Sequence, residues 1–106
     1  MHPAKLKIFN GKIITPGGII RNGTLIISGD AIELVTGAPV EIPGAVEIDA
    51  GGKYISPGFI DMHVHGGAGH DFMDGNRNAF LEVARMHARH GTTAMTPTTL
   101  TCEKRD

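Results

Sequence analysis

The hydrophobic pattern of the chain changes after Pro57, and this change limits the possible folds more than any other feature of the sequence. Before this point, short runs of alternating apolar and polar residues are separated by turns, which is typical of half-buried β-strands. After it come an apolar strand, a glycine-rich segment, a helical pattern and another strand. We therefore predict two parts, a β-only part over residues 1–54 and an α/β part over residues 55–106.

The β-only part consists of short alternating runs. In KLKIFN, at residues 5–10, lysines alternate with apolar side chains, so Lys5 and Lys7 are expected on the solvent face of a half-buried strand. Asparagine–glycine pairs are the strongest short signal of a tight hairpin turn. We therefore predict hairpin turns at Asn10–Gly11 and Asn22–Gly23.

The α/β part follows the order strand, helix, strand. GFIDMHVHG is the first strand, and the β-branched run TTAMTPTTL is the second. Between them, NRNAFLEVARMHARHG has an approximate 3.6-residue apolar period, which predicts a helix that begins after Asn76 or Asn78 and ends before Gly91. The residues that set this period are Phe80, Leu81, Ala84, Met86 and Ala88. The segment GGAGHDFMDGN is predicted to lack regular structure.

A single strand–helix–strand unit implies one parallel strand pair with a crossover helix. Such a pair leaves strand edges and a sheet face uncovered, so either another chain or a longer polypeptide is expected to complete it. A (β/α)₈ barrel needs about 250 residues, whereas this chain has 106. We expect only the beginning of an α/β layer.

Two histidines at the end of the first α/β strand form a candidate metal site. Residues two apart on a strand point to the same face, so His63 and His65 project side by side. Imidazole nitrogens are common ligands of Zn²⁺ and related ions. Asp61 lies on the same face and is a candidate to orient one of the two histidine ligands without itself binding the metal. The glycine-rich loop Gly66–Gly69 is expected to keep the mouth of the site open.

Every histidine motif also has a structural interpretation. His-x-His occurs on strands by chance, and a catalytic metal site usually needs three protein ligands. His70 is a candidate third ligand or a loop residue near the site. His87 and His90 are expected to be structural, because histidines in a last helical turn interact favourably with the helix dipole. Asp71 and Asp74 are expected to cap the loop and the helix start.

Charge and composition exclude several classes of function. The chain has 10 basic and 11 acidic residues and a formal net charge of -1, so we expect no nucleic-acid partner and no membrane surface. One cysteine, Cys102, allows no internal disulfide, and it has no activating partner in the sequence. With no apolar leader, the chain is predicted to be cytoplasmic.

The sequence resembles the amidohydrolase superfamily. PGFIDMHVHGG is similar to the first barrel strand of that superfamily, in which a His-x-His pair follows an apolar run. HGGAGHDFMDG and HARHGTTAMTPTTLT narrow the resemblance to the N-acetylglucosamine-6-phosphate deacetylases. The preceding segment KIFNGKIITPGGIIRNGTLIISGDAIELV resembles the N-terminal β-segment of that family, so the likeness covers essentially the whole chain.

The resemblance implies the N-terminal part of a small β-sandwich followed by the first β-α-β unit of a (β/α)₈ hydrolase barrel. It implies a cytoplasmic enzyme, usually a homodimer, that converts an amino-sugar phosphate to glucosamine 6-phosphate and acetate. His63 and His65 would then hold a divalent metal, zinc or alternatively Fe, Mn or Co, with one or two ions in the full-length enzyme. The remaining metal ligands, the catalytic aspartate and the phosphate-binding residues lie beyond this region in the family, so we expect no catalytic residue and no activity in this chain alone.

Other functions remain open at this point. The chain could belong to another amidohydrolase, dihydroorotase-like or an N-acyl-amino-acid deacylase. It could be a non-catalytic β-domain that associates through exposed strands, or a simple metal-binding module.

Overall fold

The computed structural model describes residues 4–104, which are mostly β-strand with little helix. The strands are β1 (Leu6–Thr15), β2 (Gly18–Ser28), β3 (Ala31–Thr36), β4 (Val46–Asp49), β5 (Tyr54–Ile55), β6 (Phe59–Val64), β7 (Gly66–Gly67), β8 (His70–Asp71) and β9 (Thr92–Pro97). A 3₁₀ helix spans Phe72–Asp74, and the helix α1 spans Arg77–Arg89. Among the described residues, no helix is long and apolar enough to cross a membrane.

The chain divides into two units, Met1–Pro57 and Gly58–Asp106. In the first, β1 lies between β2, which is antiparallel to it, and the parallel strands β4 and β5, while β3 extends the sheet beyond β2. Its buried apolar side chains are Ile13, Leu25 and Ile26. The assignment of separate domains to residues 1–54 and 55–106 stays a prediction.

The predicted hairpin turns at Asn10–Gly11 and Asn22–Gly23 are wrong. Both asparagines have positive φ, 56° and 51°, yet they lie inside β1 and β2 rather than between strands. Gly11 faces Gly23 across the two strands, and the register shifts on both sides of this pair. The two Asn-Gly pairs therefore form facing irregularities in one long hairpin, because an asparagine tolerates the left-handed conformation in a bulge as well as in a turn.

The prediction that Lys7 faces solvent is also wrong. Lys7 is only 6% exposed, and its ammonium group donates to Glu47 Oε1 at 2.8 Å. Lys7 and Glu47 are register partners of the parallel strands β1 and β4, and Glu41 Oε1 lies 3.5 Å from the same Nζ. The period-2 pattern does not reveal these partners, because Glu41 and Glu47 lie far along the chain from Lys7.

In the second unit, α1 connects the parallel strands β6 and β9, as the strand–helix–strand pattern predicts. Val64 of β6 is buried in a cluster with Phe72 and Val83, and Met95 of β9 packs against it. Packing of Val64 in this cluster holds the end of β6 against α1, which contributes Val83. The structure does not test whether this unit begins a (β/α)₈ barrel.

The ends of α1 agree with the prediction, but its buried face does not. Asn76 Oδ1 accepts a hydrogen bond from the Ala79 N–H at 2.9 Å, and Gly91 follows the helix with φ 94°. The side chains buried by α1 are Ala79 and Val83. Of the side chains that set the predicted apolar period, Met86 is half-buried. The others are exposed: Phe80, Leu81, Ala84 and Ala88.

The glycine-rich segment has regular structure, contrary to prediction. Gly66–Gly67 and His70–Asp71 form a two-residue antiparallel hairpin around Ala68 and Gly69, whose φ angles are 53° and 78°. Positive φ at both central positions is the geometry of a tight type I′ turn. A short 3₁₀ helix then leads to the N-cap of α1.

Candidate metal centre

His63 and His65 bring their imidazole rings together at the end of β6. The two Nε2 atoms lie 3.1 Å apart, and the ring centroids are separated by 5.0 Å with an interplanar angle of 62°. This distance is within hydrogen-bonding range, and which nitrogen donates depends on the tautomers of the two rings. The two rings therefore converge on one point instead of standing as independent surface histidines.

The alternation of β6 explains why both rings point the same way. Val64, between the two histidines, turns its side chain into the cluster with Phe72 and Val83 and is 6% exposed. Because successive side chains on a strand point to opposite faces, His63 and His65 project away from that cluster. Burial of Val64 thus sets the direction of both rings.

His65 lies just after β6, where the short hairpin begins. Its carbonyl oxygen accepts a hydrogen bond from the Phe72 N–H at 2.9 Å, which ties the residue to the start of the 3₁₀ helix. Its Nδ1 atom is buried and has no hydrogen-bond partner among the described residues. Leaving a buried polar atom unpaired costs about 1–3 kcal/mol, which marks this ring as the less satisfied of the two.

Asp61 contacts the backbone of His63 rather than either ring. Its Oδ1 atom accepts a hydrogen bond from the His63 N–H at 3.1 Å. The register of β6 against β9 shifts between Asp61 and Val64, so this carboxylate holds an irregular stretch of strand. Asp61 therefore supports the position of His63 through its main chain, which differs from the ligand-orienting contact expected from the sequence.

A contact that sequence reasoning missed joins Thr98 to Val64. The Thr98 N–H donates to the Val64 carbonyl oxygen at 2.8 Å, and the Thr98 hydroxyl accepts from the Val64 N–H at 3.2 Å. The sequence assigns Thr98 only to the β-branched run of the second α/β strand. No local signal in the sequence marks this contact, because it depends on the register between β6 and β9.

The other histidines of this unit have structural partners. His70 Nδ1 lies 3.6 Å from Asp74 Oδ2, His87 Nε2 lies 3.2 Å from the Gly66 carbonyl oxygen, and His90 Nδ1 lies 2.9 Å from the Met86 carbonyl oxygen. The structural interpretation of His87 and His90 is confirmed. None of these three joins the His63–His65 pair.

Asp71 and Asp74 have the predicted capping role, but at a 3₁₀ helix in the loop, while the start of α1 is capped by Asn76. Asp71 Oδ1 accepts from the Met73 N–H at 2.7 Å, and Asp74 Oδ2 accepts from the Asp71 N–H at 3.0 Å. This reciprocal capping box fixes the chain between the short hairpin and α1.

The glycines beside the histidines permit close packing. A methyl group on Gly66 would collide with the His70 carbonyl, and one on Gly67 would collide with the Met86 side chain. The expectation that these glycines keep a site mouth open therefore misses their packing role. They let the short hairpin and α1 approach the strand that carries the histidines.

The two imidazoles fit a divalent metal ion. Nitrogens 3.1 Å apart that each lie about 2.0–2.1 Å from one ion subtend an angle of about 100° at it, close to the tetrahedral value that zinc prefers. Ligation by both Nε2 atoms would place the remaining proton of each neutral ring on Nδ1. Within residues 4–104, no group of three or more His, Cys, Asp or Glu side chains is arranged to hold a metal.

A separate cavity of about 390 Å³ lies in the first unit, against Lys7. The hydrogen bond to Glu47 raises the pKa of Lys7 above its usual 10.5, partial burial opposes this shift, and Glu41 adds to the rise. Lys7 Nζ also lies 5.2 Å from the centroid of the Phe9 ring. The ammonium group is thus held in its charged form by its neighbours.

Comparisons with known proteins support the resemblance to the deacetylases. No family model matches the chain. N-acetylglucosamine-6-phosphate deacetylase from Bacillus subtilis is 34% identical over 92 residues, which cover 86% of this chain and 23% of that protein. Dihydroorotase from Listeria welshimeri is 39% identical over 56 residues, which cover 53% of this chain and 13% of that protein.

A solved structure has the same fold. It is the N-acetyl-D-glucosamine-6-phosphate deacetylase of Mycobacterium smegmatis in complex with N-acetyl-D-glucosamine-6-phosphate, with a TM-score of 0.78 and 24% identity, covering 94% of this chain and 26% of that one. At this identity the likeness shows the fold alone. The chain spans less than a quarter of each of these two curated relatives. The resemblance to deacetylases indicated by the sequence is confirmed.

Proposed function

We propose, from its relation to the N-acetylglucosamine-6-phosphate deacetylases, that the chain forms the N-terminal part of a metal-dependent amidohydrolase. The full enzyme would convert N-acetylglucosamine 6-phosphate to glucosamine 6-phosphate and acetate. The sequence relative that carries this name matches most of the chain, 86% of it. The role of this part is to supply the first metal ligands of the site.

The observation that carries the proposal is the 3.1 Å separation of the His63 and His65 Nε2 atoms. Both rings stand on the face of β6 opposite the buried Val64, so their direction is set by the fold of the second unit. Two imidazoles that already converge lose little freedom when they bind a cation, and this preorganisation favours binding.

When bound, the divalent ion would polarise the amide carbonyl of the substrate and lower the pKa of a water molecule. His63 and His65 would hold that ion through their Nε2 atoms. Asp61 would keep the main chain of His63 in place through its 3.1 Å hydrogen bond. We assign no catalytic proton transfer to the residues of this chain.

Two ligands are fewer than the three that a catalytic zinc site usually has, together with an open position. We therefore propose that the 106-residue chain alone does not deacetylate the sugar phosphate. In the larger enzyme, β6, α1 and β9 would begin a (β/α)₈ barrel, and the sheet of the first unit would belong to a small β-sandwich. A cytoplasmic homodimer remains the expectation for that enzyme.

A second candidate is a dihydroorotase-like amidohydrolase. The observation that favours it is the 39% identity to a dihydroorotase over 56 residues. That match covers 53% of the chain, whereas the match to a deacetylase covers 86%. We therefore place the deacetylase first, and a dihydroorotate hydrolysis assay of the parent enzyme separates the two.

The proposal is tested by counting the imidazoles on bound Co²⁺ by pulsed electron paramagnetic resonance and by assaying acetate release. We expect two imidazole ligands in the wild-type chain, one in His63→Asn and two in His70→Asn, because His70 lies with Asp74 instead of with the pair. We also expect no acetate release from N-acetylglucosamine 6-phosphate. Loss of an imidazole in His70→Asn, or turnover by the chain at about 1 s⁻¹ or faster, would contradict the two-ligand proposal.

A further inference from the structure

We propose that Thr98 is a positioning residue for the His63–His65 pair, because it holds the backbone between the two histidines through both polar groups of Val64. This inference rests on the proposed role of the pair as metal ligands. It concerns the direction in which the two rings point from the backbone.

Thr98 forms hydrogen bonds with both backbone polar groups of one residue of β6, Val64. The Thr98 N–H donates to the Val64 carbonyl oxygen at 2.8 Å, and the Thr98 hydroxyl accepts from the Val64 N–H at 3.2 Å. The same hydroxyl donates to the Thr96 carbonyl oxygen at 3.2 Å. The side chain therefore bridges β6 and β9 where their regular pairing ends.

The register between β6 and β9 explains why Thr98 takes this role. Val64 is the register partner of Pro97, one position out of step with the preceding pair Asp61 and Met95. In a parallel pair, the backbone donor to the Val64 carbonyl is the residue after its register partner Pro97. The next residue, Thr98, supplies the final backbone donor and adds a hydroxyl.

The two polar groups of Val64 belong to the two peptide planes that join it to the histidines. The Val64 N–H lies in the plane shared with His63, and the Val64 carbonyl lies in the plane shared with His65. Because each peptide is planar, holding these groups limits ψ of His63 and φ of His65. Those angles help set where the two Cβ atoms, and so the rings, point. The buried Val64 side chain, 6% exposed, fixes the remaining face of the same residue.

The test compares three variants of the full chain. Thr98→Val removes the hydroxyl but keeps the backbone donor and a similar shape, and Thr98→Ser keeps the hydroxyl. Thr93→Val is the matched control, because the Thr93 hydroxyl donates to the Phe59 carbonyl oxygen at 3.4 Å near the opposite end of the same strand pair. We would measure nuclear Overhauser effects between the His63 and His65 rings without metal, and Zn²⁺ affinity by calorimetry.

We expect Thr98→Val to reduce the ring–ring effect to less than about half and to weaken Zn²⁺ binding about 10-fold, the low end for loss of an outer-shell partner. The ring–ring effect and the Zn²⁺ affinity of Thr98→Ser and Thr93→Val should stay within about twofold of the wild type. Loss of a residue that positions a metal ligand usually costs at least about 10-fold in affinity. An unchanged ring–ring effect in folded Thr98→Val overturns the proposal. So does an equal loss in Thr93→Val, which indicates general loosening of the strand pair.

The two readouts separate this inference from the proposed function. Absence of Zn²⁺ binding in the wild type would contradict the metal role, while the ring–ring effect in the metal-free chain would still decide the role of Thr98. Should Thr98→Val fail to fold, Thr98→Ser decides. Its retained hydroxyl must preserve the ring–ring effect, and loss of that effect in the folded serine variant overturns the proposal.

Discussion

The Nε2 atoms of His63 and His65 lie 3.1 Å apart, although only His63 belongs to β6. His63 is held by the Asp61 carboxylate through its N–H, whereas the carbonyl of His65 is bound by the Phe72 N–H. The pair is therefore assembled from two local structures that meet at Val64.

Replacing Gly66 by alanine should destabilise the second unit. The added methyl group would collide with the His70 carbonyl and come within 2.9 Å of the Asp71 Cα, both of which are backbone atoms. Relief requires a backbone shift, and such overpacking costs about 1–3 kcal/mol. Urea unfolding measures the cost. Gly17→Ala is the control, because its methyl group meets only Thr15 Oγ1, at 3.9 Å; equal costs for the two variants would contradict the packing role of Gly66.

Replacing Ala68 by glycine should leave stability unchanged or raise it by up to about 1.6 kcal/mol. Ala68 has φ 53° in the turn between β7 and β8, a conformation that costs a non-glycine residue about 1–2 kcal/mol. The greater freedom of glycine in the unfolded chain offsets about 0.4–1 kcal/mol of that gain. The midpoint of urea unfolding measures the difference. A loss of more than about 1 kcal/mol would show that the turn does not carry the strain argued here.

Replacing Lys7 by methionine should destabilise the first unit more than the same change at Lys5. Lys7 is buried and donates to Glu47, whereas the side chains of Lys5 and its partner Glu33 are 37% and 43% exposed. Removing Lys7 leaves Glu47 without that partner, while an exposed pair contributes little. Thermal unfolding at neutral pH compares the variants. A larger fall in Tm for Lys5→Met would contradict this ranking.

The Lys7 pair also predicts a loss of stability at high pH. The hydrogen bond to Glu47 raises the folded-state pKa of Lys7 above the ordinary 10.5. The folded chain therefore holds this proton more tightly, so the contribution is complete below pH 10.5 and is lost as pH rises through the folded-state pKa. Wild-type Tm should fall more steeply across this range than that of Lys7→Met; parallel curves would count against the effect.

The hydrogen bonds of Asp49 predict a loss of stability at low pH, the opposite of the dependence expected from Lys7. The Gly51 N–H and the Asn10 side-chain amide both donate to Asp49 Oδ1 at 2.8 Å, and these two bonds hold its pKa below the ordinary 3.8. The contribution is present above pH 3.8 and is lost as pH falls through the folded-state pKa. Asp49→Asn should flatten the acid part of the Tm curve, and Asp30→Asn, in an exposed turn, should not. Equal flattening would refute the assignment to Asp49.

Three local signals in the sequence predicted local structure correctly. The Asn76 cap, the glycine after α1 and the capping role of Asp71 each depend on residues within one turn, and the structure contains all three. The His63–His65 spacing likewise predicted rings on one strand face, since that follows from the two-residue period of a strand.

Features that depend on distant partners were not predictable in the same way. Lys7 is buried because Glu47, 40 residues away, is its register partner. The Asn-Gly pairs form irregularities inside β1 and β2 because Gly11 meets Gly23, a pairing that no local pattern reveals. In the sequence, Thr98 is one of several β-branched residues. Only the shifted register of β6 against β9 places it beside Val64.

Calorimetric titration with Zn²⁺ tests most directly whether the histidine pair is a metal site. We expect wild-type binding with a Kd weaker than about 1 μM, because complete structural zinc sites supply about 10–16 kcal/mol with more ligands. His63→Asn should lose at least about 10-fold in affinity. Loss of residues that only hydrogen-bond to metal ligands already costs about 10-fold, and this variant loses a ligand itself. His90→Asn should bind like the wild type, since His90 contacts the Met86 carbonyl oxygen. Unchanged affinity in His63→Asn, or no binding by the wild type, would contradict the metal site.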